Sequence, residues 1–391
     1  MDSEAAGEDE TVKVEETVND EKTLDAEETV DADILVVGGG IAGLSLGSAL
    51  AGRTGVLVVE AEETLGYHTS SRSARQLIPS YGPEVVQDLT VRTLALIRAL
   101  EVHLPEPILT PRSFLLVGSE ESVRDRASGH MHPITAAEVQ ALAPELKPGQ
   151  FAAAGLDTTS VACNTDALME YHRRRILDRG GQILTGHPVA GAAYETSGGG
   201  AGSWITAAGS RRIRSRVVVN AAGAWADQLA GLYGARPRGL QPYRRTAAVV
   251  VVDHPLAAGA PMVADAGESF YYRPEGDRVL ISPSESEASD PMDARPREED
   301  VAALIDRVNA VTTLGITGVE KSWTGLRTEA ADGLPVVGYD DVVPGLFWLA
   351  GQGGYGFQTS SGIAELAASL LLGERPETPA VRALNPGRRG L

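Results

Sequence analysis

The stretch Asp33 to Leu44, DILVVGGGIAGL, restricts what this chain can fold into more than any other segment. An apolar, β-branched run leads into Gly38, Gly40 and Gly43, and an Ala- and Leu-rich segment at helical spacing follows from Ile41 to Ala51. Strand, tight turn and helix are expected in that order. In this G-x-G-x-x-G spacing the first glycine permits the turn, the second admits a pyrophosphate, and the third lets the helix pack on the sheet. Ile41 and Ala42 open the helix, whose free N–H groups would face phosphate. A second apolar run, GVLVVE at 55–60, ends in Glu60 with Ala61 behind it, where an acid grips ribose hydroxyls. An acid there disfavours a 2′-phosphate, which leaves NAD or FAD.

The far end of the chain separates those two. LFWLA at 346–350 reads as a strand, GQGGYGFQTS follows, and an Ala- and Leu-rich helix is expected from about Ser361 to Leu372. A second glycine-rich strand-to-helix turn suits a flavin, whose ring must lie against backbone and whose reduced form gains from a helix N-terminus.

Composition limits the remaining choices. The formal net charge is −19, but the first 33 residues alone hold 14 Asp or Glu against two Lys. With no aromatic residue and loose acidic repeats, residues 1–31 are expected to form a disordered acidic tail. The longest apolar runs, Ala247 to Val252 and Leu366 to Leu372, are too short to span a membrane. The basic cluster HRRRILDR at 172–179 reads as the solvated face of a helix, so nucleic acid is not expected as a partner. Cys163 is the sole cysteine, which rules out an intrachain disulfide and a thiolate metal site; its expected role is a buried small hydrophobe, and no metal is expected. The opening MDSEAAGEDE lacks the features of a secretory signal, so a cytoplasmic location is expected.

Further motifs carry a family resemblance: GYHTSSRSA at 66–74, VVVNAAGAWAD at 217–227, GLQPYRRTA at 239–247, GESFYYRP at 267–274 and WTGLRTEAADGLPVVGY at 323–339, with the two glycine loops in order around them. Together they resemble the D-amino acid oxidase-like superfamily of FAD-dependent oxidoreductases, and within it the bacterial D-arginine dehydrogenases. The resemblance implies an α/β (α+β) protein: a Rossmann-like FAD-binding domain (32–85, 150–235 and 322–375) interleaved with a substrate-binding domain (86–149 and 236–321) built on a mostly antiparallel sheet with helices. Residues 376–391 would be a C-terminal extension. It implies FAD contacts from Ser71, Arg72, Ser73, Ala74, Val189, Ala221, Gly223, Trp225, Gly325, Gly353, Gly354, Tyr355, Gly356, Gln358 and Thr359. Arg327 and Arg245 would flank a substrate carboxylate, Tyr271 would donate to it, and Tyr81 would sit on a loop above it. Gly354 and Gln358 would line the pocket near the flavin, and Met262 would join the pocket wall. Arg244, beside Arg245, is the competing arginine.

Two positions depart from the D-arginine dehydrogenase pattern: Phe114 stands where a carboxylate would receive the cationic end of the substrate, and Gln76 replaces a histidine. An unpaired buried cation costs several kcal/mol, so arginine and lysine should be poor substrates. Glu268 is the first acid to test should they prove good ones. With Cys163 far from the C-terminal glycine loop and His68 read as a phosphate-loop residue, FAD should be noncovalent. The expected reaction is oxidation of the Cα–N bond of an amino acid, of D configuration and uncharged side chain, by hydride transfer to flavin N5, giving an imine or 2-oxo acid. The alternatives are an oxidase or dehydrogenase of an N-alkyl or cyclic secondary amine acid and, from another class, a non-catalytic flavoprotein binding subunit. Oxygen, a quinone or a carrier protein are all open as electron acceptor.

Overall fold

The computed structural model describes residues 29–196, 202–374 and 378–391. An eight-stranded sheet is centred on β1 (Thr29–Val37), which pairs parallel with β2 (Val56–Val59) on one side and with Arg211–Asn220 on the other. β2 continues in parallel to Gln182–Leu184, and Arg211–Asn220 to Leu346–Ala350. All four residues of β2 are buried, as a strand covered on both faces must be. Ile34 and Val36 pack with Leu44 and Leu46 of α1 (Ile41–Leu50), while Leu35 and Val37 pack on the opposite face with Trp204, Leu229 and Tyr233. Among the described residues no helix is long and apolar enough to cross a membrane.

Two sequence expectations shift at this level. Residues 1–28 of the expected tail lie outside the described residues, but its boundary at 31 falls inside β1, where Thr29 to Ala32 pair with Arg212 to Ser215. The acids that suggested a tail meet arginines on the neighbouring strand: Asp31 lies 3.7 Å from Arg214 and Asp33 2.8 Å from Arg216. The C-terminal helix starts at Gly356 rather than Ser361, because its first turn is fixed from outside: Gly356 sits against Ile41 of α1, and Gln358 is anchored to the Ile78–Tyr81 backbone.

A nine-stranded, mostly antiparallel sheet forms the second layer. Its strands run in the spatial order Ile316–Glu329, Gln241–Val252, Arg278–Ser282, Tyr271–Glu275, Met262–Asp265 and Phe114–Gly118. Ala153–Asp157 pairs with Phe114–Gly118, so the sheets divide the chain after this strand rather than at 150. One face of the sheet is packed by Val301, Leu304 and Val308 of the helix Glu298–Val311, which meet Ala248, Val250, Val263, Tyr272, Leu115 and Val117. Strand residues alternate between faces, so the intervening positions point the other way.

Candidate active site

The first glycine turn is held by contact as much as by conformation. Gly38 has φ +117°, and a Cβ on it would lie 2.3 Å from the Ala221 carbonyl oxygen; a Cβ on Gly43 would lie 1.9 Å from that of Gly38. Gly40 has an ordinary φ of −76°, and its Cβ would meet only Ser70 Oγ, at 3.1 Å. At the end of β2, Glu60 accepts from the Gly39 N–H at 2.6 Å and the Glu62 N–H at 3.0 Å, which fixes its carboxylate beside the turn.

Ser70 is a residue that the sequence did not single out. Its Oγ accepts from the Ile41 N–H at 2.9 Å, at the N-terminus of α1. Ser71 instead donates to the carbonyls of Tyr67 and His68, and Ser73 accepts from the Arg75 N–H, bracing Arg75 at φ +56°. Three serines within four residues gave no signal of which faces inward; the 3-10 turn Thr69–Arg72 decides it. Arg72 donates to the carbonyls of Ala294 and Thr324 and pairs with Asp293, tying this turn to the second sheet. His68 lies 2.9 Å from Glu62 and packs at a tilt against Trp225, with ring centroids 4.5 Å apart and planes 47° from parallel. Gly223 adopts φ +54°, while Asn220 holds the Ala226 carbonyl at 2.7 Å.

Neither α1 nor the helix Gly356–Leu371 has an acid in its first turn or a hydrogen bond from its N-cap residue's side chain, so beyond the Ile41 N–H that Ser70 takes, their N-termini keep positive dipole ends without a countercharge from their own first turns. The two helix starts meet, a Cβ on Gly356 lying 3.6 Å from Ile41 Cγ2. An anion-seeking turn, an oriented acid and a second helix N-terminus in contact with the first fit a dinucleotide that carries a flavin. Val189, on an edge strand paired with Ala208, and Thr359, which donates to the Tyr355 carbonyl, do not line the cavity beside this cradle.

That cavity has a volume of about 460 Å³. Its floor is the free face of the nine-stranded sheet, and alternation picks out its members: Gly325 and Arg327, Arg245 and Ala247, Tyr271, Met262 and Ala264, Phe114 and Leu116. Tyr81, Gln76, Ser73, Ala74, Arg72 and Ile41 close one side with Gly353 to Gln358. The same alternation resolves the arginine pair. Arg245 faces the cavity, whereas Arg244 turns away, is buried, and donates to the Arg295 carbonyl at 2.6 Å.

Gln358 and Gln76 are struts as well as wall. Gln358 donates to the Tyr81 carbonyl at 3.2 Å and accepts from the Ile78 N–H at 3.4 Å, which holds the Tyr81 loop over the cavity. Gln76 donates to the Arg112 carbonyl and to Ser160 Oγ. Beneath this wall, buried Arg273 donates to the Ala74 carbonyl at 2.6 Å.

The electrostatics favour an anion. Burial opposes the charge of Arg327, but the phenol oxygens of Tyr81 and Tyr271, the Glu329 carboxylate and a hydrogen bond with Tyr81 outweigh it and hold its guanidinium above the ordinary value. Arg327 packs on Gly354, where a Cβ would lie 2.9 Å from Nη1. Burial and the facing charge of Arg327 push Arg245 below its ordinary value, against Tyr271, Tyr81 and Glu285. Arg245 donates one bond, to Ser286 Oγ at 3.0 Å, and its Nε is buried without a partner. Two like charges held at one cavity wall are relieved by a carboxylate between them. The cavity's own acids are Asp125, Asp265 and Glu268, of which Glu268 pairs with Arg126 at 2.7 Å and Asp265 accepts from Ser269.

The model of the DAO family, FAD dependent oxidoreductase, matches residues 33–370. An alpha-glycerophosphate oxidase of Lactococcus lactis is 28% identical over 337 residues, which cover 75% of this chain and 54% of the relative. The chain thus spans about half the length of that oxidase. Among solved structures, L-proline dehydrogenase from P. horikoshii superposes with a TM-score of 0.81 at 18% identity, over 92% of this chain and 98% of that one. Glycine oxidase from Geobacillus kaustophilus gives 0.78 at 22%, over 92% and 99%. At such identities the likeness is one of fold.

Proposed function

Starting from the fact that this chain belongs to the DAO family of FAD dependent oxidoreductases, we propose that it oxidises the Cα–N bond of an amino acid with an uncharged side chain. The observation that carries this reading is Arg327, kept charged at the wall beside Gly354, with Arg245, Tyr81 and Tyr271 around it and the apolar pair Phe114 and Met262 beyond. Arg327 and Arg245 bind and orient the carboxylate, and the Tyr271 and Tyr81 hydroxyls donate to it. Bound in the cradle, FAD supplies the two-electron acceptance that the reaction requires. Among the described residues no His and, away from the Arg126 side, no carboxylate lines the cavity, so the amine enters neutral, its proton lost to solvent. The imine formed hydrolyses in water to a 2-oxo acid and ammonia. The D configuration rests on the resemblance of the motifs to D-arginine dehydrogenases.

Noncovalent attachment is part of the same proposal. Cys163 is buried in the small sheet Gln76–Leu77, Val161–Cys163 and Leu109–Pro111; burial pushes its thiol up to about 12, and it does not line the cavity. Acid precipitation should release FAD into the supernatant; flavin retained in the pellet refutes it. The reaction is tested by anaerobic bleaching of the flavin with D- and L-amino acids, N-methylamino acids and glycerol 3-phosphate. Reduction by amino acids supports the proposal. Reduction by glycerol 3-phosphate or N-methylamino acids alone overturns it in favour of a C–O or secondary-amine donor.

A further inference from the structure

Resting on that amino acid reading, the geometry points to a narrower substrate class: we propose that the preferred amino acid carries an extended apolar tail, longer than that of leucine or phenylalanine. The charged wall and the apolar wall stand on different strands of one ladder. Arg327 lies on the first strand of the cavity floor, Arg245 on the second and Tyr271 on the fourth, and all three line the cavity. The apolar residues come after Tyr271, Met262 and Ala264 on the fifth strand and Phe114 and Leu116 on the sixth. Strands in a sheet lie about 4.8 Å apart, so the apolar floor extends roughly 10 Å beyond the strand of Tyr271.

Leucine reaches four bonds from its carboxylate carbon to a methyl, at about 1.5 Å per bond, and spans little more than one strand spacing. A leucine side chain whose carboxylate is held between Arg327 and Arg245 therefore ends short of Phe114 and Leu116. The tail that reaches them is aryl or long alkyl, because Phe114, Leu116 and Ala264 offer no side-chain hydrogen bond and Met262 only a weak thioether acceptor. Asp125, Arg126 and Glu268 enter the lining as well, and with the Arg126–Glu268 pair they bound the apolar stretch with charge.

The test uses the FAD-loaded full chain and both enantiomers of alanine, leucine, phenylalanine, 4-phenylphenylalanine and 2-aminodecanoic acid in anaerobic flavin reduction. Each buried methylene is worth about fourfold, so kcat/KM should rise at least tenfold from leucine to 2-aminodecanoic acid. Ala264→Trp, which fills the outer half of the floor, should cut the ratio of long to short substrate at least tenfold. Its flavin spectrum reports whether it has folded, and Ala264→Leu is the milder variant should it not. A rate that is flat or falls beyond leucine overturns the tail while leaving amino acid oxidation standing, as does a ratio unchanged in both variants. Failure of every amino acid to reduce the flavin overturns both readings.

Discussion

Arg245 and Arg327 are diagonal neighbours on one face of an antiparallel pair: Arg245 lies opposite Gly325, and Arg327 opposite Tyr243. Both arginines line the cavity, and the space over Gly325 between their strands is bordered by the side chains of Arg72 and Thr69. Arg327→Met should keep its FAD and lower kcat/KM about ten- to a hundredfold, the value of a charge-assisted hydrogen bond of roughly 1.5–3 kcal/mol. Arg245→Met should cost less, since removing it also relieves the repulsion on Arg327. Steady-state kinetics with flavin absorbance as the control for folding checks both; equal losses would contradict the division of roles.

Phe114 is buried on the cavity floor, paired in register with Met262. Phe114→Glu should admit D-Arg or D-Lys by supplying a counter-charge and should penalise apolar amino acids, which must then lie against a buried carboxylate. A ratio of D-Arg to D-Leu turnover that does not rise would show that Phe114 does not face the substrate's far end.

The glycines of the first turn differ in what they tolerate. Gly43→Ala places a methyl 1.9 Å from the Gly38 carbonyl oxygen and should yield protein with little or no flavin. Gly40→Ala meets only a serine hydroxyl that can rotate, and should retain FAD with weakened affinity. Flavin absorbance per mole of purified protein distinguishes them.

His172 is buried in the helix Thr165–Asp178 with neither ring nitrogen partnered. The sequence placed it on a solvated face with the three arginines after it; only the arginines reach solvent, Arg173 and Arg174 pairing with Glu170. Burial, aided by Arg175, pushes its pKa down to about 3 from 6.5. The unfolded chain therefore takes up a proton that the folded chain refuses, so stability present above pH 6.5 is lost as pH falls toward 3. At pH 5 the loss is about 2 kcal/mol. His172→Leu should flatten the fall of the urea midpoint between pH 7.5 and pH 5; an unchanged slope would place the acid sensitivity elsewhere.

Truncation tests where the fold begins. A chain starting at Thr29 should keep its flavin and its melting temperature, whereas one starting at Asp33 loses the pairing of Thr29 to Ala32 with Arg212 to Ser215 and should melt lower. Equal melting temperatures would return those residues to the tail.

What the sequence determined by itself was local and chemical. Gly38, Gly43 and Glu60 were legible because turn geometry, close packing and ribose recognition each demand one residue type at one spacing, and period-2 patterning marked the strands that carry them. Motif resemblance brought Arg245, Tyr271 and Arg327 together from three separate strands. What the tertiary structure decided was direction. Ser70 rather than Ser71 meets the helix N-terminus, Arg245 rather than Arg244 enters the cavity, and His172 is buried while its neighbours are solvated. Neighbouring residues of one type have the same chemistry in sequence; the face each one takes is set by strand register and helix phase, and these are fixed only when distant segments pack.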